Sequence, residues 1–360
     1  MVKKRRFFTW NLSVVAAILL TGCDVQAPSA PVPPTPSAAA VQTQPVSSVV
    51  PYFTDPGVRG SHSPTRVLLD AILSDVDSAR NSIDVAMYNF TLREISDALI
   101  AASQRGVAVR VVVDSNTLEK LDLRRMKQAG IYVLGDRRES LMHNKFLVID
   151  GRILWTGSLN FSAYGAENDE NVFVRLESGD LAANYRLKFD EMFIKDRFGA
   201  DSRPMTNTTR FNLDGSPVEN YFSPEDEIDS RLVKLVNDAD ESVHVLAYSF
   251  TLNRLADALI NADRGGVDVR GVFDEESSRE NQGADFFQLQ KAGLNVRLDG
   301  SEGLMHIKAI IVDGETVAFG SYNFTASAEN RNDENVLIIT SPTFAAEFEE
   351  AFERIYSRAQ

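Results

Sequence analysis

The chain repeats itself once over most of its length, and this limits its fold more than any other feature. Tyr88-Asn89-Phe90-Thr91-Leu92 returns as Tyr248-Ser249-Phe250-Thr251-Leu252, and Asp97-Ala98-Leu99-Ile100 as Asp257-Ala258-Leu259-Ile260, both 160 residues later. By Ala129-Gly130 and Ala292-Gly293 the offset is 163, so the second copy has gained three residues in between. Tyr221-Phe222 answers Tyr52-Phe53 and marks where the second copy starts. A unit of this length is a lobe with its own core, so the sequence describes a duplicated domain and not a solenoid.

Within each copy strand-like and helix-like patterns alternate. Val107 to Val113 is an apolar run suited to a buried strand. Before it, Leu92, Ile95, Leu99 and Ile100 fall at helical spacing, and Gly106 ends that helix. Phe146 to Asp150 reads as a strand closing in an Asp-Gly turn, with Ile153 to Gly157 as its hairpin partner. The pattern predicts two similar α/β/α lobes, covering residues 52–200 and 221–360, joined by a connector over 201–220.

The start of the chain is built differently. Lys3 to Arg6 are basic, and an apolar stretch from Leu12 to Leu20 follows. That stretch is too short for a membrane span, which takes roughly 20 apolar residues, and it fits a secretory signal over residues 1–22. Leu20-Thr21-Gly22-Cys23 contains the only cysteine and resembles a bacterial lipobox, which implies a lipid on Cys23. Asp24 beside it resembles a signal for retention in the inner membrane. Residues 23–51, with Pro28, Pro31, Pro33, Pro34, Pro36 and Pro45, read as a disordered, extended linker between membrane and catalytic body. The formal charge is −14, and about −18 without the four basic residues of the leader. Such a surface repels polyanions and argues against a general nucleic-acid coat protein.

The chemistry sits in a second set of matched segments. Leu141-Met142-His143-Asn144-Lys145 is answered by Leu304-Met305-His306-Ile307-Lys308, and each Lys is followed by four residues and an Asp, Asp150 or Asp313. Gly157-Ser158-Leu159-Asn160 and Gly320-Ser321-Tyr322-Asn323 follow. Each copy then reaches Asn-Asp-Glu-Asn-Val, placing Glu170 27 residues after His143 and Glu334 28 after His306. A strand's period of two sets each His and Lys on one side. Lys145 and Lys308 supply point charges for a phosphate, and Asn160 and Asn323 supply amide donors. A carboxylate on one imidazole nitrogen fixes the tautomer and frees the other nitrogen, which points to Glu170 and Glu334 as orienting residues. Two histidines facing one phosphorus would divide the work, one as nucleophile and one as acid. Lys in the second motif position is a poor metal ligand, so the reading needs no metal and no cofactor. Tyr88 and Tyr248 read as core packing, and His62 and His244 as structural or surface residues.

These residues resemble the phospholipase D superfamily, whose signature is His-x-Lys-x4-Asp followed by Gly-Ser-x-Asn. The likeness runs from about residue 52 to 358. It implies an intramolecular pseudo-dimer with one site on an approximate two-fold axis and a covalent phosphohistidine intermediate. By the resemblance, His143 is the nucleophile and His306 the acid that later activates water. Lys145, Asn160, Lys308 and Asn323 bind the phosphoryl group, and Ser158 and Ser321 help position it. Asp150 and Asp313 complete the catalytic motifs and either support the site from behind or serve only as Asp-Gly turn residues. The substrate expected is a glycerophospholipid at a membrane surface of the bacterial envelope, handled by a monomer. A metal-independent nuclease and a cardiolipin synthase-like phosphatidyltransferase are the alternatives, and intact motifs argue against a surface-binding protein without catalysis. Arg137, Arg138 and Arg331 read either as an anion patch or as ordinary surface charges.

Overall fold

The computed structural model describes residues 48–206, 208–281 and 283–360. The signal segment, Cys23, Asp24 and nearly all of the linker read from the sequence lie outside the described residues.

The first lobe runs β1 (Val49–Phe53), α1 (Pro64–Ser78), β2 (Ser82–Met87), α2 (Arg93–Gln104), β3 (Ala108–Val113), α3 (Leu121–Gln128), β4 (Tyr132–Gly135), β5 (Lys145–Ile149), β6 (Ile153–Gly157), α4 (Ala163–Asn168), β7 (Val172–Glu177) and α5 (Gly179–Lys195). The second runs β8 (Arg210–Leu213), β9 (Ser216–Ser223), α6 (Ile228–Asn237), β10 (Ser242–Ala247) and α7 (Asn253–Arg264), then β11 (Asp268–Phe273), α8 (Glu275–Glu280), α9 (Phe286–Ala292) and β12 (Asn295–Leu298). It closes with β13 (Lys308–Val312), β14 (Thr316–Gly320), α10 (Ala326–Asn330), β15 (Glu334–Thr340) and α11 (Pro342–Arg358).

The sheets have the same plan. The first is ordered β1-β7-β6-β5-β2-β3-β4 and the second β12-β11-β10-β13-β14-β15-β9-β8. Strands β2, β3 and β4 are parallel, as are β10, β11 and β12, whereas β5 and β13 join antiparallel. The segment read as a connector is partly sheet, because β8 and β9 form a hairpin that pairs with β15. Likewise β1 begins at Val49 within the segment read as linker.

Every residue of β5 and β13 is buried, because helices cover both faces of a mixed sheet. The outer faces carry α1, α2 and α3 on one lobe and α6, α7 and α9 on the other. The inner faces share one core with α5 and α11. Tyr185 of α5 meets Phe222 of β9 at 5.1 Å, and Phe348 of α11 meets Phe53 of β1 at 5.1 Å, so each inner helix touches the other lobe's sheet. This shared apolar layer welds the halves and sets the register at which their matching loops face each other. No helix among the described residues is long and apolar enough to cross a membrane.

Candidate active site

The histidine segments lie just before β5 and β13, and each is held by the opposite lobe. His143 N donates to Asp333 O at 3.0 Å, and Asp333 N to Leu141 O at 2.9 Å. In the mirror arrangement His306 N donates to Glu170 O at 2.9 Å, and Glu170 N to Leu304 O at 2.8 Å. Within each lobe a buried aspartate pins the residue before the histidine, with Asp114 accepting from Met142 N at 3.3 Å and Asp274 from Met305 N at 3.0 Å.

The imidazoles and ammonium groups share one side, as the spacing predicts. Lys145 Nζ returns to His143 O at 2.9 Å, and Lys308 Nζ to His306 O at 2.6 Å. Tyr88 lies 4.9 Å from the His143 ring and 5.2 Å from Lys145 Nζ; Tyr248 lies 5.1 Å from the His306 ring and 4.8 Å from Lys308 Nζ. Both tyrosines therefore wall the site, one residue beyond β2 and β10, and do not belong to the core as expected. Asn160 and Asn323 each keep a buried carboxamide oxygen with no hydrogen-bond partner. Among the described residues neither oxygen is committed to another group.

The orienting residues differ from the sequence reading. His143 Nδ1 donates to Glu334 Oε2 at 2.8 Å, so its carboxylate comes from the other copy and not from Glu170 of its own. His306 Nδ1 donates to Asn171 Oδ1 at 2.9 Å, and not to Glu170. The Asn171 amide is fixed in this sense because its Nδ2 donates to Gly165 O at 3.0 Å. The two Asn-Asp-Glu-Asn-Val strings are out of register by one: Val172 receives Ser158 N, whereas Asn335 receives Ser321 N. A slip of one residue turns a strand side chain to the opposite face. Glu170 consequently faces Arg354 and Arg358, away from the imidazole.

Two further expectations change. Ser158 and Ser321 are fully buried and bind the orienting residues, Ser158 Oγ to Asn171 Oδ1 at 3.0 Å and Ser321 Oγ to Glu334 Oε2 at 2.7 Å. They brace the histidine partners and do not face a phosphate. The preceding glycines are required, since a Cβ on Gly157 would lie 2.3 Å from Val172 O and one on Gly320 2.1 Å from Asn335 O. Asp150 and Asp313 stand at the far ends of β5 and β13, roughly 16 Å from the lysines at about 3.3 Å per residue. Each adopts positive φ, 51° and 54°, and gathers three backbone N–H groups, Arg80, Asn81 and Ser82 or Asp240, Glu241 and Ser242. They anchor the entrance to β2 and β10.

The remaining candidates behave as structural groups. His244 is clamped between Glu349 at 2.7 Å and Arg270 at 2.8 Å and stacks on Phe352. His62 is exposed beside Ser61. Arg137 pairs with Asp196 and Arg138 lies 3.8 Å from Asp201, so neither is a free anion site. Among the described residues no group of three or more His, Cys, Asp or Glu is arranged to hold a metal.

Electrostatically the pocket gathers two imidazoles and two ammonium groups around the Glu334 carboxylate. Burial, together with Lys145 and Lys308, pushes His143 below the usual histidine range, opposed by Glu334. Burial, the same two ammonium groups and His143 push His306 down further. Burial brings Lys145 down to about 7, and burial plus Lys145 depresses Lys308 strongly. A bound phosphate would relieve all four groups at once. The arrangement can hold a phosphodiester between two cationic groups, attack it with one imidazole and protonate it with the other.

The register slip had a sequence signal. Asn171 and Glu334 lie at the same distance, 13 residues, from Ser158 and Ser321, and at the same distance, 28, from His143 and His306.

Comparison with known proteins agrees with this geometry. A family profile described as "Cardiolipin synthase, PLD-like domain" matches residues 72–193 and 232–356, more than half the chain. The phospholipase D of Rickettsia prowazekii (strain Madrid E) is 35% identical over 136 residues, 38% of this chain and 66% of that protein. Cardiolipin synthase A of Proteus mirabilis (strain HI4320) is 27% identical over 318 residues, 78% of this chain and 65% of that protein. The chain thus spans just under two thirds of each relative's length. The phosphatidylserine synthase of Haemophilus influenzae Rd KW20 superposes with a TM-score of 0.64 over 82% of this chain and 85% of that one, at 15% identity, which establishes the shared fold.

Proposed function

The chain belongs to the phospholipase D superfamily, and from that premise we propose that it hydrolyses the headgroup ester of a glycerophospholipid through a phosphohistidine on His143. The observation that carries this is the unequal backing of the two imidazoles, Glu334 behind His143 and Asn171 behind His306. When Nε2 of a neutral imidazole bonds to phosphorus, the ring becomes cationic. A carboxylate on Nδ1–H neutralises that charge, and an amide does not.

In the first step His143 Nε2 forms the P–N bond as the P–O bond to the headgroup breaks, and His306, made an imidazolium by the bound phosphodiester anion, gives its Nε2 proton to the departing oxygen while its Nδ1–H stays on Asn171. In the second step water attacks phosphorus while giving a proton to His306, and the P–N bond breaks. Lys145, Lys308, Asn160 and Asn323 carry the charge on the phosphoryl oxygens in both steps. An alcohol replacing water would turn the same intermediate into a transfer product, the reaction a cardiolipin synthase-like phosphatidyltransferase performs.

Charge favours lipid over nucleic acid. A cavity of about 620 Å³ beside the site is walled by Tyr248, Asn323, Glu276 and Glu280, and its carboxylates oppose a polynucleotide. A lipid on Cys23 would hold the enzyme at a membrane surface of the cell envelope, its substrate's own location.

The test incubates the full chain, in detergent micelles with EDTA, against phosphatidylcholine, phosphatidylglycerol, cardiolipin, single-stranded DNA and RNA. Release of headgroup with phosphatidic acid is expected. Cleavage of nucleic acid that falls steeply with salt, with the lipids intact, would overturn the reading in favour of the nuclease. With glycerol present, a transphosphatidylated lipid in place of phosphatidic acid would favour the transferase.

A further inference from the structure

Two buried ionic clusters take no part in this chemistry, and they occupy the same place in the two lobes. Asp333 precedes Glu334 and Glu170 precedes Asn171, so each stands next to a residue that orients an imidazole. Their carbonyls accept the backbone N–H of His143 and His306. Strand alternation then turns their carboxylates away from the site.

Asp333 meets Lys188 of α5 at 3.4 Å and accepts from Gly199 N at 3.0 Å and Ser202 Oγ at 3.2 Å. Lys188 is 2.8 Å from Glu225 and 3.4 Å from Glu191, and all four charged groups have buried side chains. Glu170 instead meets Arg354 at 3.4 Å and Arg358, both on the last turns of α11. Arg354 also reaches Asp55 at 3.4 Å. The Glu170 side chain is 1% exposed, whereas its two arginines are 32% and 36% exposed. One cluster is sealed, and the other is closed by cations that reach the surface.

A buried carboxylate stays where it is only while a cation and hydrogen bonds compensate its desolvation. Without the arginines Glu170 moves toward water and takes its backbone with it. That backbone holds His306 N, and the next residue holds the His306 ring. We propose that Arg354 and Arg358 are positioning residues for His306, acting through Glu170, as Lys188 is for His143, acting through Asp333. The orientation of one histidine is thereby fastened to the C-terminal helix and that of the other to α5.

The test reads the imidazoles directly and needs no substrate. The chain has four histidines, so ¹⁵N-histidine labelling of the full protein in detergent micelles resolves their Nδ1–H groups, assigned with His→Asn variants. In an Arg354→Ala/Arg358→Ala variant the Nδ1 proton of His306 should exchange with water about tenfold faster or more, while that of His143 is unchanged. Lys188→Met should give the reverse pattern, and Arg354→Lys/Arg358→Lys should recover much of the protection. Glu170→Ala, which removes the anchored side chain itself, should reproduce the selective His306 effect and serves where the double alanine variant does not fold. Unchanged exchange at His306 in the arginine and Glu170→Ala variants overturns the proposal, as does equal loss at both histidines. Turnover is a second readout, with kcat expected to fall and KM to hold. Only that readout rests on the proposed function, so a failure of the exchange result and a failure of the catalytic reading are distinguishable.

Discussion

Replacing Glu334 by Gln tests the unequal division of labour most directly. Gln keeps an oxygen 2.8 Å from His143 Nδ1, so the hydrogen bond survives and only the charge is lost. A full charge on the imidazole at about 4 Å from the carboxylate, at an effective dielectric near 20, is worth about 4 kcal/mol. That converts to roughly a thousandfold in the step that creates the charge. Glu334 also supports the charge on Lys145 and Lys308. The assay therefore belongs at pH 6, where Lys145 keeps its proton more readily, with a fluorescent phosphodiester and separate kcat and KM. The expected result is a kcat about three decades down with KM little changed. Asn171→Ala is the contrast: it removes a hydrogen bond to an uncharged amide, about 1 kcal/mol and about tenfold or less. A Glu334→Gln enzyme keeping more than about a tenth of its kcat would refute the reasoning. An Asn171→Ala enzyme that loses more than Glu334→Gln would assign the nucleophile to His306 instead.

Further predictions concern the histidines, the lysines and the motif aspartates. With a p-nitrophenyl diester the leaving oxygen needs no proton, so His306→Asn should trap a phosphoenzyme at residue 143, detectable by mass spectrometry, and His143→Asn should trap none. A stoichiometric adduct at residue 306 would reverse the roles. Lys145 titrates near 7 in the empty pocket, so kcat/KM should fall above that pH as its charge is lost. Its folded pKa lies below the unfolded value, so between about 7 and 10.5 the unfolded chain binds more protons and this group makes stability rise with pH. Added phosphate should accordingly raise Tm more at pH 6.5 than at pH 8.5, as differential scanning fluorimetry can show. Asp150→Ala removes acceptors for three backbone N–H groups and should cost about 1–3 kcal/mol in chemical denaturation. The folded fraction should keep near-normal kcat, and a loss of kcat without loss of stability would return Asp150 to the catalytic set.

Much of this arrangement was legible because duplication writes it twice. The alternation that predicted Phe146 to Asp150 as a strand and Ile153 to Gly157 as its partner is the observed β5–β6 hairpin. Period two set His143 beside Lys145, and the Tyr88 ring confirms it by touching both. Glu170 was misread because an identical five-residue string outweighed a one-residue difference in spacing. In a strand that difference decides which face a side chain takes. Tyr88 and Tyr248 hold the same repeat position, which suits core packing as well as a site wall, and they stand one residue past the ends of β2 and β10. For Asp150 the sequence left a motif residue behind the site and an Asp-Gly turn residue both open, and positive φ at Asp150 and Gly151 favours the turn. The pairing of Glu170 with Arg354 and Arg358 had no sequence signal, since these residues lie more than 180 positions apart and meet through the packing of α11.

The cross-lobe contacts also bear on ancestry. Each histidine takes its ring partner and its backbone partner from the opposite half, so a single half cannot assemble this site. Two identical halves can do so as a pair, but symmetry would then place the same residue behind both imidazoles. Joining the halves in one chain lifts that constraint. Glu334 and Asn171 are what a fused gene is free to choose, and the one-residue slip between two otherwise identical strings is the trace of that freedom in the sequence.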